Sequence, residues 1–150
     1  MSILFEDIFD VRQLNVGGKK YERISRVTCK GTTFDVDMTV DVNCELFPIK
    51  EGDRMTVAFA SSINLDGSED DGQFNPHPGP TLMDSYDYVM NGRIFKIEHK
   101  SGQVISILAS FGGLLMELIG EQSQLERLEP DMKFYCLMRT GGVDTNMAMD

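Results

Sequence analysis

The sequence predicts an all-β fold, an antiparallel barrel of about eight short strands. Three observations carry this expectation. From Phe34 to Leu46 every even position is apolar and every odd one polar. A period of two held over thirteen residues marks a strand with one dry face and one wet face. Further short runs rich in β-branched and aromatic residues recur along the chain with turn signals between them, the pattern of a barrel or sandwich. Lastly, Gly112-Gly113 sits between two apolar runs. Paired glycine in a strand path marks a bulge, a sharp bend or a close backbone approach, the curvature a small closed barrel needs.

Taken in order, Leu4–Val11 is strand-like with mixed faces. Ile24–Lys30 places Ser25, Val27 and Cys29 on one side. Phe34–Leu46 is the long alternating strand, with Asp35, Asp37 and Asp41 turned outward to water. Met55–Ser61 groups Met55, Val57 and Phe59. Tyr88–Glu98 sets Tyr88, Met90 and Ile94 opposite Val89, Arg93, Phe95 and Ile97. Gln103–Phe111 leads through the glycine pair into Leu114–Ile119, and Phe134–Arg139 closes the set. Helical signal is thin. Leu125 and Leu128 could share one turn before Pro130 ends it. Two turns resemble each other, Ile49–Met55 and Leu128–Phe134, each placing an Asp and a nearby base ahead of a strand. So short a match arises readily by chance, and as a duplication signal it is weak.

The stretch Asp66–Asp87 breaks the pattern. It holds Asp66, Glu69, Asp70, Asp71, Asp84 and Asp87, no Lys or Arg, and a scatter of Gly and Pro. Such a composition buries too little apolar surface to order itself, so a mobile acidic surface loop is expected over 66–87. A flexible tail is expected over 140–150.

At 150 residues the chain is the size of one domain, and a domain of this length buries about 70% of its unfolded surface. No run approaches the ~18 apolar residues of a membrane helix, and the acidic start does not resemble a secretory signal, so an intracellular protein is expected. The net charge of −10 repels nucleic-acid phosphates at long range. Cys29, Cys44 and Cys136 are odd in number and form no C-x-x-C pair, which argues against a zinc knuckle or disulfide framework. Cys44 and Cys136 fall on apolar faces and are expected as buried, reduced thiols.

Catalytic chemistry finds no foothold. The only histidines are His77 in the acidic loop and His99 in an expected turn over Glu98–Gly102, and neither has a nucleophile and an orienting group beside it in the pattern. Asp66, Ser68 and Asp70 match positions one, three and five of a calcium loop. The glycine at position six is Asp71, however, and the glutamate at twelve is His77, so a solvated loop is the better reading. No phosphate-cradling glycine motif is present. One basic patch opposes the overall charge. Val16–Lys30 carries Lys19, Lys20, Arg23, Arg26 and Lys30 against Glu22 alone, with Tyr21 among them. Cations around an aromatic can hold single-stranded phosphate and stack a base. The competing reading is a strand edge guarded by lysines, and one aromatic is a poor stacking platform.

Five stretches carry a resemblance. They are Ile3–Val11, Asp41-Val42-Asn43 with Pro48, Asp66-Gly67 through Asp70-Asp71-Gly72 with Asn75-Pro76, Tyr88-Val89-Met90-Asn91-Gly92, and Phe111-Gly112-Gly113-Leu114-Leu115-Met116. In this order they resemble the small common subunit shared by the eukaryotic nuclear RNA polymerases I, II and III, the one ranked eighth. Phe74, His77-Pro78-Gly79-Pro80 and the long tail after Arg139 depart from that pattern. The resemblance implies a single OB-type barrel domain over 1–139 with pseudo-duplicated halves. It also implies a nuclear protein of nucleolus and nucleoplasm, with neither catalytic role nor cofactor nor metal. Its partners would be the largest polymerase subunit and neighbouring core subunits. Docking is expected at Tyr88, Met90, Asn91, Arg93, Gly112, Gly113, Leu114, Leu115 and Met116. Weak single-stranded DNA contact, attributed in the family to the part matching Val16–Val40, would fall on Lys19, Lys20, Tyr21, Arg23, Arg26 and Lys30. A free-standing single-strand-binding module is the alternative.

Overall fold

Eight strands follow one another in the computed structural model, which describes residues 3–15, 23–64 and 81–140. They are β1 (Ile3–Leu14), β2 (Ile24–Gly31), β3 (Asp37–Asn43), β4 (Arg54–Ala60), β5 (Tyr88–Ser101), β6 (Val104–Phe111), β7 (Leu114–Glu121) and β8 (Lys133–Thr140). Every predicted strand is present. All pairings are antiparallel, in the order β1-β2-β3-β7-β6-β5-β8-β4, and β4 returns to β1 to close the barrel.

The barrel is built twice. β1-β2-β3 and β5-β6-β7 are meanders, each followed by one strand that pairs back on its first member. Val11 of β1 exchanges hydrogen bonds with Gly52 and Asp53 at 3.0 and 2.8 Å. Ile94 of β5 does the same with Asp131 and Met132, both at 2.9 Å. A bulge follows each, between Val11 and Gln13 and between Ile94 and Lys96. The two look-alike turns therefore hold one structural place. Each puts a positive φ two residues before its strand, 90° at Gly52 and 63° at Asp131. What composition alone left to chance is an architectural repeat. Carried along the register, it makes Thr39 equivalent to Glu117 and Ala58 to Leu137, and each of these couples is itself a cross-strand pair. The pseudo-two-fold passes through both.

Alternation fills the interior. Phe9, Val27, Cys29, Met38, Val40, Phe59, Ile94, Ile107, Leu118, Phe134 and Met138 are all buried. An aromatic chain crosses it from Phe34 through Phe5, Phe59 and Phe134 to Phe111, with ring centroids 5.4–6.0 Å apart. Such contacts add about 0.5–1.5 kcal/mol each beyond area burial.

Four expectations are corrected. First, the glycine pair does not bend a wall. It is the two-residue turn of the β6–β7 hairpin, closed by Phe111 opposite Leu114. With φ of 65° and 102° it takes the type I′ form that matches strand twist. Second, residues 81–87 of the acidic loop are ordered. Leu82–Ser85 forms a one-turn 3₁₀ helix, capped by Thr81 and Asp84. Leu82 and Tyr86 pack over Ala58, Ala60 and Leu137 on the outer side of β4 and β8. The small alanines leave room for this cover, which is why Ala58 and Ala60 are buried as well as the inward Met55, Val57 and Phe59. The rest of the loop, 66–80, lies outside the described residues, as does the tail from 141. Third, the long alternating strand is shorter. The Asn43 side chain accepts the N–H groups of Glu45 and Leu46 at 3.0 and 3.2 Å and turns the chain out of the ladder, leaving Leu46 70% exposed. Fourth, His99 belongs to β5, opposite Ile105, and the turn beyond it is Gly102-Gln103.

A Cβ on Gly113 would meet nothing within 4 Å, so only its φ resists a side chain. Gly113→Val is expected to cost about 1–2 kcal/mol, read as a lowered melting temperature. An unchanged melt would contradict the turn assignment.

Candidate docking surface

One row of register runs across three strands. Arg93 of β5 pairs with Ser110 of β6, which pairs with Leu115 of β7. The hairpin tip adds Gly112 and Gly113. The structure thus brings Asn91, Arg93, Gly112, Gly113 and Leu115 together as exposed residues, with Leu114 half-buried. Tyr88, Met90 and Met116, predicted with them, point inward and are buried. They hold the wall from inside. The Tyr88 hydroxyl accepts the Asn43 N–H at 3.0 Å, and its ring stacks on Phe47 at 5.2 Å.

Beside Leu115 lies a shallow depression of about 170 Å³ lined by Arg26, Thr39, Leu108, Leu115, Met116 and Glu117. Its frame includes a residue that alternation alone misassigned. Asp41 is buried, not solvated. The β3–β7 ladder stops at Val40 opposite Met116. Just beyond, Asp41 Oδ2 accepts the Leu115 N–H at 3.0 Å, and the carboxylate takes both Arg26 Nε at 2.7 Å and Nη2 at 3.1 Å. The signal that finds this pair is hairpin register. Arg26 and Asp41 face each other across β2 and β3.

The basic patch is less free than its count suggests. Lys19, Lys20 and Tyr21 lie outside the described residues. Arg23 faces Glu45 at 3.6 Å. Lys30 reaches Asp35 at 2.7 Å and Asp37 at 3.3 Å, and those two hydrogen bonds raise its pKa above the usual lysine value. Cations already matched by carboxylates release few counterions on meeting phosphate. Arg26→Ala is therefore expected to change oligonucleotide affinity at low salt by less than about twofold, while costing about 1 kcal/mol of stability in a urea melt through the orphaned Asp41.

Cys29 and Cys136 are buried, and burial pushes both thiols far above their ordinary pKa. Cys44, expected buried, is only partly covered because the chain turns outward after Asn43. In the native protein Cys44 is expected to react first with a thiol reagent, and Cys29 and Cys136 only after unfolding. Rapid loss of all three thiols under native conditions would contradict this burial.

No group of three or more His, Cys, Asp or Glu side chains suited to a metal occurs among the described residues. The calcium-like spacing from Asp66 lies outside them. Fold and site together define a small closed antiparallel barrel with a row of exposed turn and strand residues at one hairpin tip.

The profile described as RNA polymerase Rpb8 matches residues 6–140, the whole of the barrel but the first three described residues. The chain belongs to the RNA polymerase Rpb8 family. It is 40% identical over 139 residues to the Arabidopsis thaliana protein named DNA-directed RNA polymerases II, IV and V subunit 8B, covering 91% of this chain and 95% of that one. It is also 40% identical to the Dictyostelium discoideum DNA-directed RNA polymerases I, II, and III subunit rpabc3, covering 92% and 97%. The Saccharomyces cerevisiae subunit RPABC3 is 38% identical over 144 residues, covering 91% and 97%.

Proposed function

We propose that this chain is a non-catalytic subunit common to the nuclear RNA polymerases I, II and III. It acts in nucleolus and nucleoplasm as one barrel domain that docks on the largest subunit and its core neighbours. The observation that carries this reading is the family match across residues 6–140, with relatives named as subunits of several polymerases. The exposed row of Asn91, Arg93, Gly112, Gly113 and Leu115 is the surface it would present. The barrel would brace the larger subunits and leave the chemistry to them.

The test is affinity purification of the tagged chain from its own cells. Co-purification of about a dozen polypeptides, two of them very large, together with RNA synthesis in the eluate, is the expected result. A chain that elutes alone from an extract with active polymerase would overturn the proposal. A low-salt titration with single-stranded oligonucleotide checks the rival module, which requires saturable, salt-sensitive binding by the isolated chain.

A further inference from the structure

The duplication exposes an asymmetry. In each half the first strand runs past its meander partner. β1 pairs with β2 only from Phe9 onward, and β5 pairs with β6 only from Arg93 onward. The extensions are Ile3–Ile8 and Tyr88–Gly92, and the repeat that relates Val11 to Ile94 matches Phe5–Ile8 with Tyr88–Asn91. Each is bonded on one side, to β4 or β8, and bare of ladder on the other.

The chain fills the first of these edges itself at Ile8, next to the barrel body. Ile8 accepts the Thr32 N–H at 2.8 Å through its carbonyl, and its own N–H donates to Asp7 Oδ1 at 2.8 Å. The β2–β3 connection is long enough to lay Thr32, Thr33 and Phe34 along β1. The position equivalent to Ile8 is Asn91. Ile94 bonds toward β8, so by strand alternation Tyr88, Met90 and Gly92 do too, while Val89 and Asn91 direct N–H and C=O the other way. The β6–β7 turn has two residues, too few to reach them, and Met90 stands where the first half has the Asp7 carboxylate. Among the described residues nothing pairs with the outward main-chain groups of Val89 and Asn91.

We propose that this edge of β5 receives an extended segment of a partner subunit as an added strand, bonded to the main chain at Val89 and Asn91. The inference rests on the subunit reading above. The occupant follows from the edge chemistry, since alternating donors and acceptors on an extended backbone match another extended backbone. The first half shows what fills the equivalent gap, a stretch of chain lying along the edge. β7 offers no such edge, since its two sides are taken by β3 and β6.

The test is amide hydrogen exchange on the isolated full-length chain and on the same chain within purified polymerase. Expected are fast exchange at Val89 and Asn91 in the isolated chain and slowing of at least about tenfold in the complex. Tyr88, Met90 and Gly92 should be protected in both. Asn91→Pro supplies a second reading, because it removes an N–H that only a partner would use. It should hold its melting temperature but fall about tenfold in its share of purified polymerase. If that variant fails to fold, exchange alone decides. Unchanged amides in a chain that does sit in the polymerase overturn the added strand and leave the subunit reading intact. Protection already present in the dilute isolated chain, or appearing only at high concentration, also overturns it, since the cover is then the chain itself or a second copy. Absence of the chain from polymerase overturns both readings.

Discussion

Gly92→Ala is expected to remove about 3 kcal/mol or more of stability, although it adds a single carbon. A Cβ at that position would press into the carbonyl oxygen of Ser110 and the ring of Phe111. Neither can give way cheaply. Ser110 sits in the β5–β6 ladder opposite Arg93. Phe111 packs its ring 5.4 Å from Phe134, inside the aromatic chain of the core. Ordinary overpacking costs about 1–3 kcal/mol, and a clash with ladder backbone belongs at the top of that range. The same substitution at Gly113 gives the comparison. There the space is open and only the positive φ resists, so Gly113→Ala should cost about 1 kcal/mol. Urea denaturation of both variants reads the difference. A Gly92→Ala protein within about 1 kcal/mol of the parent would mean that β6 does not approach β5 as described.

Gly92 also shows where sequence reading stops. Its meaning comes from a carbonyl eighteen residues away, brought close by the β5–β6 hairpin. The strands themselves were legible because alternation is a local consequence of the pleat, as Val36, Met38, Val40 and Val42 show by all facing the core. The twin glycines were legible as a conformational signal but not as its kind. Positive φ serves a bulge and a tight hairpin alike, and only the pairing of Phe111 with Leu114 separates them. Asp41 looked solvated because alternation assigns a face and cannot say what covers it. Its cover, Arg26 and the Leu115 N–H, comes from neighbouring strands. Leu82 and Tyr86 were hidden in an acidic segment, where composition outvoted two side chains that find a seat on the alanines of β4. Of the docking residues, alternation set Tyr88 and Met90 on the face opposite Arg93, but which face is inward depends on register and closure, and Tyr88, Met90 and Met116 are the buried ones.

Asp7→Ala is expected to cost about 3–4 kcal/mol, the largest effect of any single carboxylate in the barrel. The Asp7 side chain is buried and gathers three backbone donors. Oδ1 accepts the N–H of Ile8 at 2.8 Å, both oxygens lie 3.2 Å from the Thr33 N–H, and Oδ2 accepts the Phe34 N–H at 3.0 Å. Hydrogen bonds to a charged acceptor contribute about 1.5–3 kcal/mol each. Thr33 is exposed, so water can replace part of the loss there. Ile8 and Phe34 are partly covered and recover less. Gly31 is part of the same device, since a Cβ there would lie 2.6 Å from Asp7 Oδ2. Asp7→Asn should rescue only part of the loss, because its amide nitrogen would face N–H donors it cannot bond. Amide exchange separates this account from simple core damage. Loss of the carboxylate frees the Ile8 N–H and loosens Phe34, so exchange should rise first at Ile8, Thr33 and Phe34 while β6 and β7 keep their protection. The first half would then carry an open edge like that at Val89 and Asn91 in the second. Uniform loss of protection across all eight strands would instead show Asp7 acting through global stability alone, and the difference between the two halves would need another cause.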